Sequence, residues 1–239
     1  MRLLNNHYKL ITSLKQKKYR QKHKLFVVEG VKVVDEFLNS SYELEYLFGT
    51  DNRFSYVDSF IEISERELKK MSSLKTPNSV LALFKIPENK LKAPKGLIVA
   101  LDGINNPGNL GTIIRLCDWF GVQHLICSND TVDCYNSKVV QASMGSLPRV
   151  TISYTDLQEY LKSVNLPTFI ADMAGENVYH TKLSSTAVLV LGSESNGISD
   201  SIRKIVDTKI SIPRFGNYQL TESLNVATAT AILLSEFRR

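Results

Sequence analysis

Ala187-Val188-Leu189-Val190-Leu191-Gly192-Ser193-Glu194-Ser195-Asn196-Gly197 is the stretch that decides the fold. Five apolar residues in a row, without alternation, fit a strand covered on both faces, as strands of parallel sheets are. A tight loop follows at once, with two glycines flanking a carboxylate. Gly192 leaves room for a ligand to approach the backbone. The spacing is not GxGxxG, so the dinucleotide fingerprint is excluded.

Outward from this strand, further runs read the same way. Leu97–Leu101, His124–Cys127, Thr168–Ala171 and Lys209–Ile212 read as strands. Leu110–Phe120, Lys138–Met144, Asp156–Lys162 and Glu222–Phe237 read as helices. Alternating strands and helices imply a parallel sheet. Upstream, Leu25–Val28, Leu44–Phe48 and Val80–Phe84 are short β-rich runs, and Val31–Leu38 reads as a helix. Ser64-x-x-Glu67 is a capping box that starts another helix at Glu65. Between the two regions, Pro87, Lys90, Lys92, Pro94 and Lys95 offer little to pack. The expected organisation is therefore a small α/β domain over 1–86, a linker over 87–96, and a second α/β domain over 97–239.

The chain has 239 residues, of which 43% are hydrophobic, 22% charged and 9% aromatic. That composition excludes disordered, collagen-like and disulfide-scaffold classes. Its net charge is +5, with a pI near 9.0, which permits a polyanionic partner. The positive charge is concentrated at the start. Arg2, Lys9, Lys15, Lys17, Lys18, Arg20, Lys22 and Lys24 all precede the first acid, Glu29. Such a cluster is either a solvated helix face or a phosphate contact. No apolar run approaches the roughly 18 residues of a membrane span. Met1–His7 turns polar too soon for a signal peptide. Cys117, Cys127 and Cys134 form no CxxC pair and lack a histidine at ligand spacing, so no zinc site is expected. An odd cysteine count without an export signal reads as a cytoplasmic protein.

Ligands of open parallel sheets sit at the carboxyl ends of strands, and three such loops stand out. After Leu97–Leu101 comes Asp102-Gly103-Ile104-Asn105-Asn106-Pro107-Gly108-Asn109, with Asn109 as the expected N-cap and Arg115 six residues on. The second loop is Gly192–Gly197. The third runs from Ile212-Pro213-Arg214-Phe215-Gly216 to Ser223-Leu224-Asn225-Val226, where Ser223 and Asn225 open a helix of small residues. Taken singly, each is also what an ordinary turn or capped helix shows.

Together, the order and spacing N-x5-R, LGSE-x2-G, IP and SLN-V-x2-A resemble the SpoU family of the SPOUT superfamily, the RNA ribose 2′-O-methyltransferases. Lys17-Lys18-x-Arg20-x5-Phe26-Val27-Val28-Glu29-Gly30 resembles the start of the substrate-binding domain of its ribosomal-RNA members. Lys138-Val139-Val140-Gln141-Ala142-Ser143-Met144-Gly145 resembles a further segment between the first two motifs. The resemblance implies that residues 97–239 form an α/β sheet with a trefoil knot. It implies that S-adenosylmethionine is the methyl donor, contacted by Gly192, Ile212 and Leu224. Asn109, Arg115, Glu194, Ser223 and Asn225 are then the catalytic set, with Arg115 either the base or the group that grips the phosphate beside the ribose. Lys17, Lys18 and Arg20 would bind RNA. A homodimer is implied, and a metal is not. The implied reaction is ribose 2′-O-methylation, with 23S ribosomal RNA the favoured substrate because transfer-RNA members often lack the N-terminal domain. A transfer-RNA enzyme and a non-catalytic RNA-binding protein of the same fold are the alternatives. Two departures stand out: Gly216 and Ser223 are seven steps apart where about four are expected, and Arg214 stands where Met is frequent.

Overall fold

The computed structural model describes residues 2–88, 95–218, 220 and 222–239. Most of the expected linker, residues 89–94, lies outside the described residues, as do Gln219 and Thr221. The chain divides into two compact units. One comprises residues 1–89 together with 133–148, and the other 90–132 together with 149–239. A division at the linker alone does not capture this, because 133–148 packs with the N-terminal residues.

The first unit opens with α1 (Arg2–Ser13) and α2 (Lys17–His23), followed by β1 (Leu25–Glu29), α3 (Val31–Leu38), β2 (Leu44–Gly49), β3 (Phe60–Glu62), α4 (Glu65–Met71) and β4 (Val80–Lys85). The sheet order is β1-β4-β2-β3, with β4 antiparallel to both neighbours and β3 parallel to β2. The period-2 alternation of strands divides its residues between two cores. Leu25, Val27, Leu81 and Leu83 pack with Ile11, Leu14, Leu68 and Met71. Phe26 and Phe84, from the alternate positions, join Phe37. Tyr135, from the 133–148 segment, closes that aromatic cluster, its ring 4.7 Å from Phe26. The Ser64–Glu67 capping box forms as the sequence predicts: Ser64 N–H donates to Glu67 Oε2 at 2.8 Å and Glu67 N–H to Ser64 Oγ at 3.3 Å.

The second unit begins with β5 (Leu97–Asp102), α5 (Pro107–Trp119) and β6 (His124–Ser128). The chain then contributes α6 (Ser137–Ser143) to the first unit, where it packs on β1. It continues in the second unit with β7 (Thr151–Thr155), α7 (Leu157–Ser163), β8 (Thr168–Asn177), β9 (Ala187–Gly192), α8 (Asp200–Arg203), β10 (Thr208–Ser211) and α9 (Val226–Phe237). All six strands are parallel, in the order β10-β8-β9-β5-β6-β7. Every apolar residue of Ala187–Leu191 is buried, as the unbroken run requires. Ile98, Ala100, Ile126, Ile170, Val188 and Val190 face Leu157, Leu161 and Ile202 of α7 and α8. On the other side α9 packs on β9 and α5. Among the described residues no helix is long and apolar enough to cross a membrane. The three cysteines are buried, and burial pushes the Cys117 thiol up, out of the reactive range.

Three boundaries differ from the sequence reading. The N-cap of α5 is Asn106, not Asn109. Asn106 Oδ1 accepts from Gly108 N–H at 2.8 Å and Asn109 N–H at 3.2 Å, with Pro107 at the first helical position. The terminal helix begins at Val226, so Ser223 precedes it and Asn225 alone caps it. β8 continues to Asn177, six residues past Ala171. Its pairing with β10 shifts between Lys209 and Ile210. Gly175 sits at this shift, where a Cβ would lie 2.6 Å from the backbone of Lys209 and Ile210.

Candidate active site

The strand order places β5 and β9 at the centre of the second unit. From β5 the chain winds outward through β6 and β7, then returns to build β8, β9 and β10 on the other side. The crevice outside the carboxyl ends at such a reversal is where ligands of open α/β sheets bind. A cavity of about 700 Å3 lies there, lined from β8, the loops after β9 and β10, and α9. Its size falls within the roughly 300–1,000 Å3 of small-molecule sites.

Gly192, Ile212 and Leu224, the expected cofactor contacts, all line this cavity, as do Glu194 and Ser223. Gly192 has a structural reason to lack a side chain. The loop folds back so that Ser193 N–H donates to Gly197 O at 3.1 Å and Gly197 N–H to Ser193 O at 2.8 Å. A Cβ on Gly192 would stand 2.2 Å from the Gly197 carbonyl carbon and 2.4 Å from Ile198 N. The close approach is therefore within the loop itself.

Asn225 joins two other expected residues, Glu194 and Asn109. Its Oδ1 caps α9, accepting from Ala227 N–H at 3.0 Å and Thr228 N–H at 3.2 Å. Its Nδ2 donates to Glu194 Oε1 at 2.7 Å and to Asn109 Oδ1 at 3.0 Å. The amide thus uses two donor and two acceptor positions, which fixes its orientation. Glu194 Oε1 also accepts Val226 N–H at 3.3 Å, a carboxylate at the positive end of a helix. Residues 31 and 116 positions from Asn225 meet at one side chain, so the network holds the ends of α5 and α9 to the loop after β9.

Arg115 is outside this network. It is exposed on α5 and makes no hydrogen bond or ion pair among the described residues. Six residues at 100° each turn it about 120° away from Asn109 around the helix. Ser223 is likewise exposed and makes no side-chain hydrogen bond among the described residues.

Both departures in the third loop belong to one feature. Arg214 Nη2 donates to the Glu222 carbonyl at 2.9 Å, tying together the two ends of the lengthened segment. A methionine could not do this. Phe215 and Tyr218 stand 82% and 87% exposed between those ends.

The N-terminal basic residues separate. Lys17 and Lys18 are exposed. Arg20 is only 3% exposed and is not available to RNA. Its Nε and Nη2 donate to Asp133 Oδ2 at 2.9 and 2.5 Å, and Nη1 to the carbonyls of Leu14 and Lys15 at 2.8 and 3.1 Å. A lysine-rich context hides this role, and the partner Asp133 is too distant in sequence to suggest it. Among the described residues no group of three or more His, Cys, Asp or Glu side chains is placed to hold a metal ion.

The chain is similar to known proteins over nearly its whole length. The chain is 29% identical to a 23S rRNA (guanosine(2553)-2′-O)-methyltransferase of Bacillus subtilis, over 94% of this chain and 93% of the relative. It superposes on a Porphyromonas gingivalis structure assigned to the TrmH family of RNA methyltransferases with TM-score 0.89 and 37% identity, covering 98% of this chain and 97% of the other. An AdoMet-bound rRNA methyltransferase from Sinorhizobium meliloti matches with TM-score 0.87 and 27% identity, covering 98% and 94%. Residues 5–82 match the MRM3-like substrate binding domain. Residues 96–235 match the model of the SpoU rRNA methylase family, and the chain belongs to that family.

Proposed function

We propose that this protein transfers a methyl group from S-adenosylmethionine to a ribose 2′-hydroxyl of 23S ribosomal RNA. The observation that carries the reading is the Asn109–Asn225–Glu194 network beside a cavity lined by Gly192, Ile212 and Leu224. The fit of the donor rests on that cavity: its volume suits a nucleoside-sized ligand, and apolar walls with nearby backbone groups suit an adenine. The relatives reported above, named as rRNA methyltransferases, support the substrate class, as does the match of 5–82 to a substrate-binding domain.

When bound, S-adenosylmethionine supplies an activated methyl group whose leaving thioether is neutral, so no oxyanion site is required. The chain's residues then act mainly by placement. The backbone around Gly192, Ile212 and Leu224 holds the donor, and Glu194 and Asn225 hold the loop that forms its wall. Arg115 orients the ribose through the adjacent phosphate. Its guanidinium offers N–H donors and no acceptor, which disfavours it as the base.

The active enzyme is a homodimer in this reading. Arg115 and Trp119, four residues apart, share a face of α5, and Trp119 is 82% exposed. Exposed Trp and Arg on one face are typical anchors of a protein interface. The trefoil knot belongs to the same reading, supported by the return of α9 to the loop after β9. A cytoplasmic location belongs to the same reading, supported by the similarity to the Bacillus subtilis rRNA methyltransferase.

The test uses the purified protein, radiolabelled S-adenosylmethionine and 23S rRNA lacking native methylation. Label is expected in alkali-resistant dinucleotides, because a methylated 2′-oxygen cannot attack its own phosphodiester. Label released with alkali-sensitive nucleotides, or no incorporation, overturns the proposal. RNA binding has its own test. Lys17→Glu with Lys18→Glu should weaken RNA binding and lower the slope of log affinity against log salt by about 1.4–1.8, because two phosphates are no longer neutralised. An unchanged slope reduces the cluster to a solvated face. Arg20 stays intact in this variant, since removing it would strand Asp133 at a cost of about 3–5 kcal/mol.

A further inference from the structure

Among the described residues, four charged side chains line the cavity: Asp172, Glu194, Arg203 and Arg214. Two are already engaged, Glu194 with Asn225 and the head of α9, and Arg214 with the Glu222 carbonyl. The other two form an ion pair in the cavity wall. Arg203 Nη1 donates to Asp172 Oδ2, and Arg203 Nε donates to the Ile198 carbonyl at 2.9 Å. Asp172 Oδ1 accepts Ala174 N–H at 2.9 Å. The Asp172 side chain is 8% exposed and that of Arg203 34%.

This pair has an open edge. Arg203 Nη2 has no hydrogen-bond partner among the described residues, and it lies over Gly197, 3.4 Å from where a Cβ would stand. Gly197 is the glycine that closes the loop after β9. The β8–β9 register runs Thr168↔Val188 to Ile170↔Val190. Two residues past that pairing, Asp172 lines the cavity together with Gly192. The pair therefore sits at the carboxyl end of the sheet beside the loop proposed to hold the donor, with both signs of charge on the cavity wall. As a stabilising device it gains little, because desolvation offsets much of the attraction of a largely buried pair.

The donor proposed above is a nucleoside carrying a zwitterionic amino-acid tail. We infer that Asp172 and Arg203 bind this tail, Arg203 Nη2 taking the α-carboxylate and Asp172 the α-ammonium. The inference rests on the reading of the cavity as the S-adenosylmethionine site. The matched charges would make the site selective for the full donor and its product over the same nucleoside without the tail. No step of the methyl transfer runs through the pair.

Calorimetry on the full chain tests this with two ligands, S-adenosylhomocysteine and 5′-methylthioadenosine, which lacks the amino-acid tail. Wild type should bind S-adenosylhomocysteine more tightly. Arg203→Gln and the isosteric Asp172→Asn should each weaken S-adenosylhomocysteine by about tenfold or more, the worth of a charged hydrogen bond. Each should leave 5′-methylthioadenosine within about threefold. Parallel weakening of both ligands in both variants would make the pair a structural tie and overturn the tail assignment alone. Equal affinity for the two ligands in wild type overturns it as well. If wild type binds neither, the reading of the cavity fails, and the tail assignment with it.

Discussion

Arg115→Ala reduces methyl transfer by about a hundredfold or more, the scale expected when a positioned reactant is released, while the fold and the affinity for the methyl donor stay as in wild type. The side chain is exposed and makes no hydrogen bond or ion pair among the described residues, so its removal costs little packing. Single-turnover methylation beside a thermal melt and a cofactor titration gives the comparison. A fall in kcat with unchanged donor binding is the signature of a group that acts in the transition state. A rate within a few-fold of wild type removes Arg115 from the chemistry. Because Arg115 is absent from the Asn109–Asn225–Glu194 network, the dimer reading adds a sharper expectation. Mixing Arg115→Ala chains with Gly192→Val chains should restore activity, since each mixed dimer then holds one intact cavity facing one intact arginine. No recovery in verified mixed dimers would mean that Arg115 serves its own chain's cavity.

Gly192→Val abolishes S-adenosylmethionine binding, and Gly192→Ala does so nearly as well. The alanine result distinguishes the cause. If glycine were needed only to admit the ligand, the smaller side chain would be the milder change. The first carbon of any side chain already stands 2.2–2.4 Å from the Gly197–Ile198 backbone, so either variant must open the loop. The Ser193–Gly197 pairing is then broken and Glu194 moves away from Asn225. Overpacking of this kind costs about 1–3 kcal/mol, visible as a lowered Tm. RNA binding through Lys17 and Lys18 should survive. Wild-type donor affinity in Gly192→Ala would show that the loop yields easily and that Glu194 is not held by it.

The elements legible in the sequence are those whose signal is local. Ala187–Leu191 declares burial on both faces through composition alone, and Ser64-x-x-Glu67 marks its helix start by its own hydrogen bonds. β7 escapes because Thr151, Ser153 and Thr155 alternate with Ile152 and Tyr154, leaving no apolar run. The extension of β8 carries Asp172, Gly175 and Glu176, poor strand formers, and its end, Glu176–Asn177, pairs with β10. At the head of α5, Asn106 and Asn109 are equally good caps by type. Pro107, favoured at the first helical position, is the signal that separates them. For the site, motif spacing brings Asn109, Glu194 and Asn225 onto one candidate set, but their convergence on a single amide needs the fold. No local signal marks Arg20 as buried, because its acid lies 113 residues away, nor does one mark Asp172 and Arg203.

The assignment of residues 133–148 to the N-terminal unit bears on how the protein is made. Tyr135 completes the aromatic face around Phe26, α6 lies on β1, and Asp133 neutralises Arg20. None of these exists when residue 88 leaves the ribosome. At about 5–20 residues per second, the N-terminal sheet waits about 3–12 s for its last pieces, with β5, α5 and β6 emerging in between. A gene cut at residues 87–96 would make that waiting state permanent: Phe26 uncovered on one side and a guanidinium without its acid. The N-terminal unit is thus an incomplete product of translation until residues 133–148 have followed it.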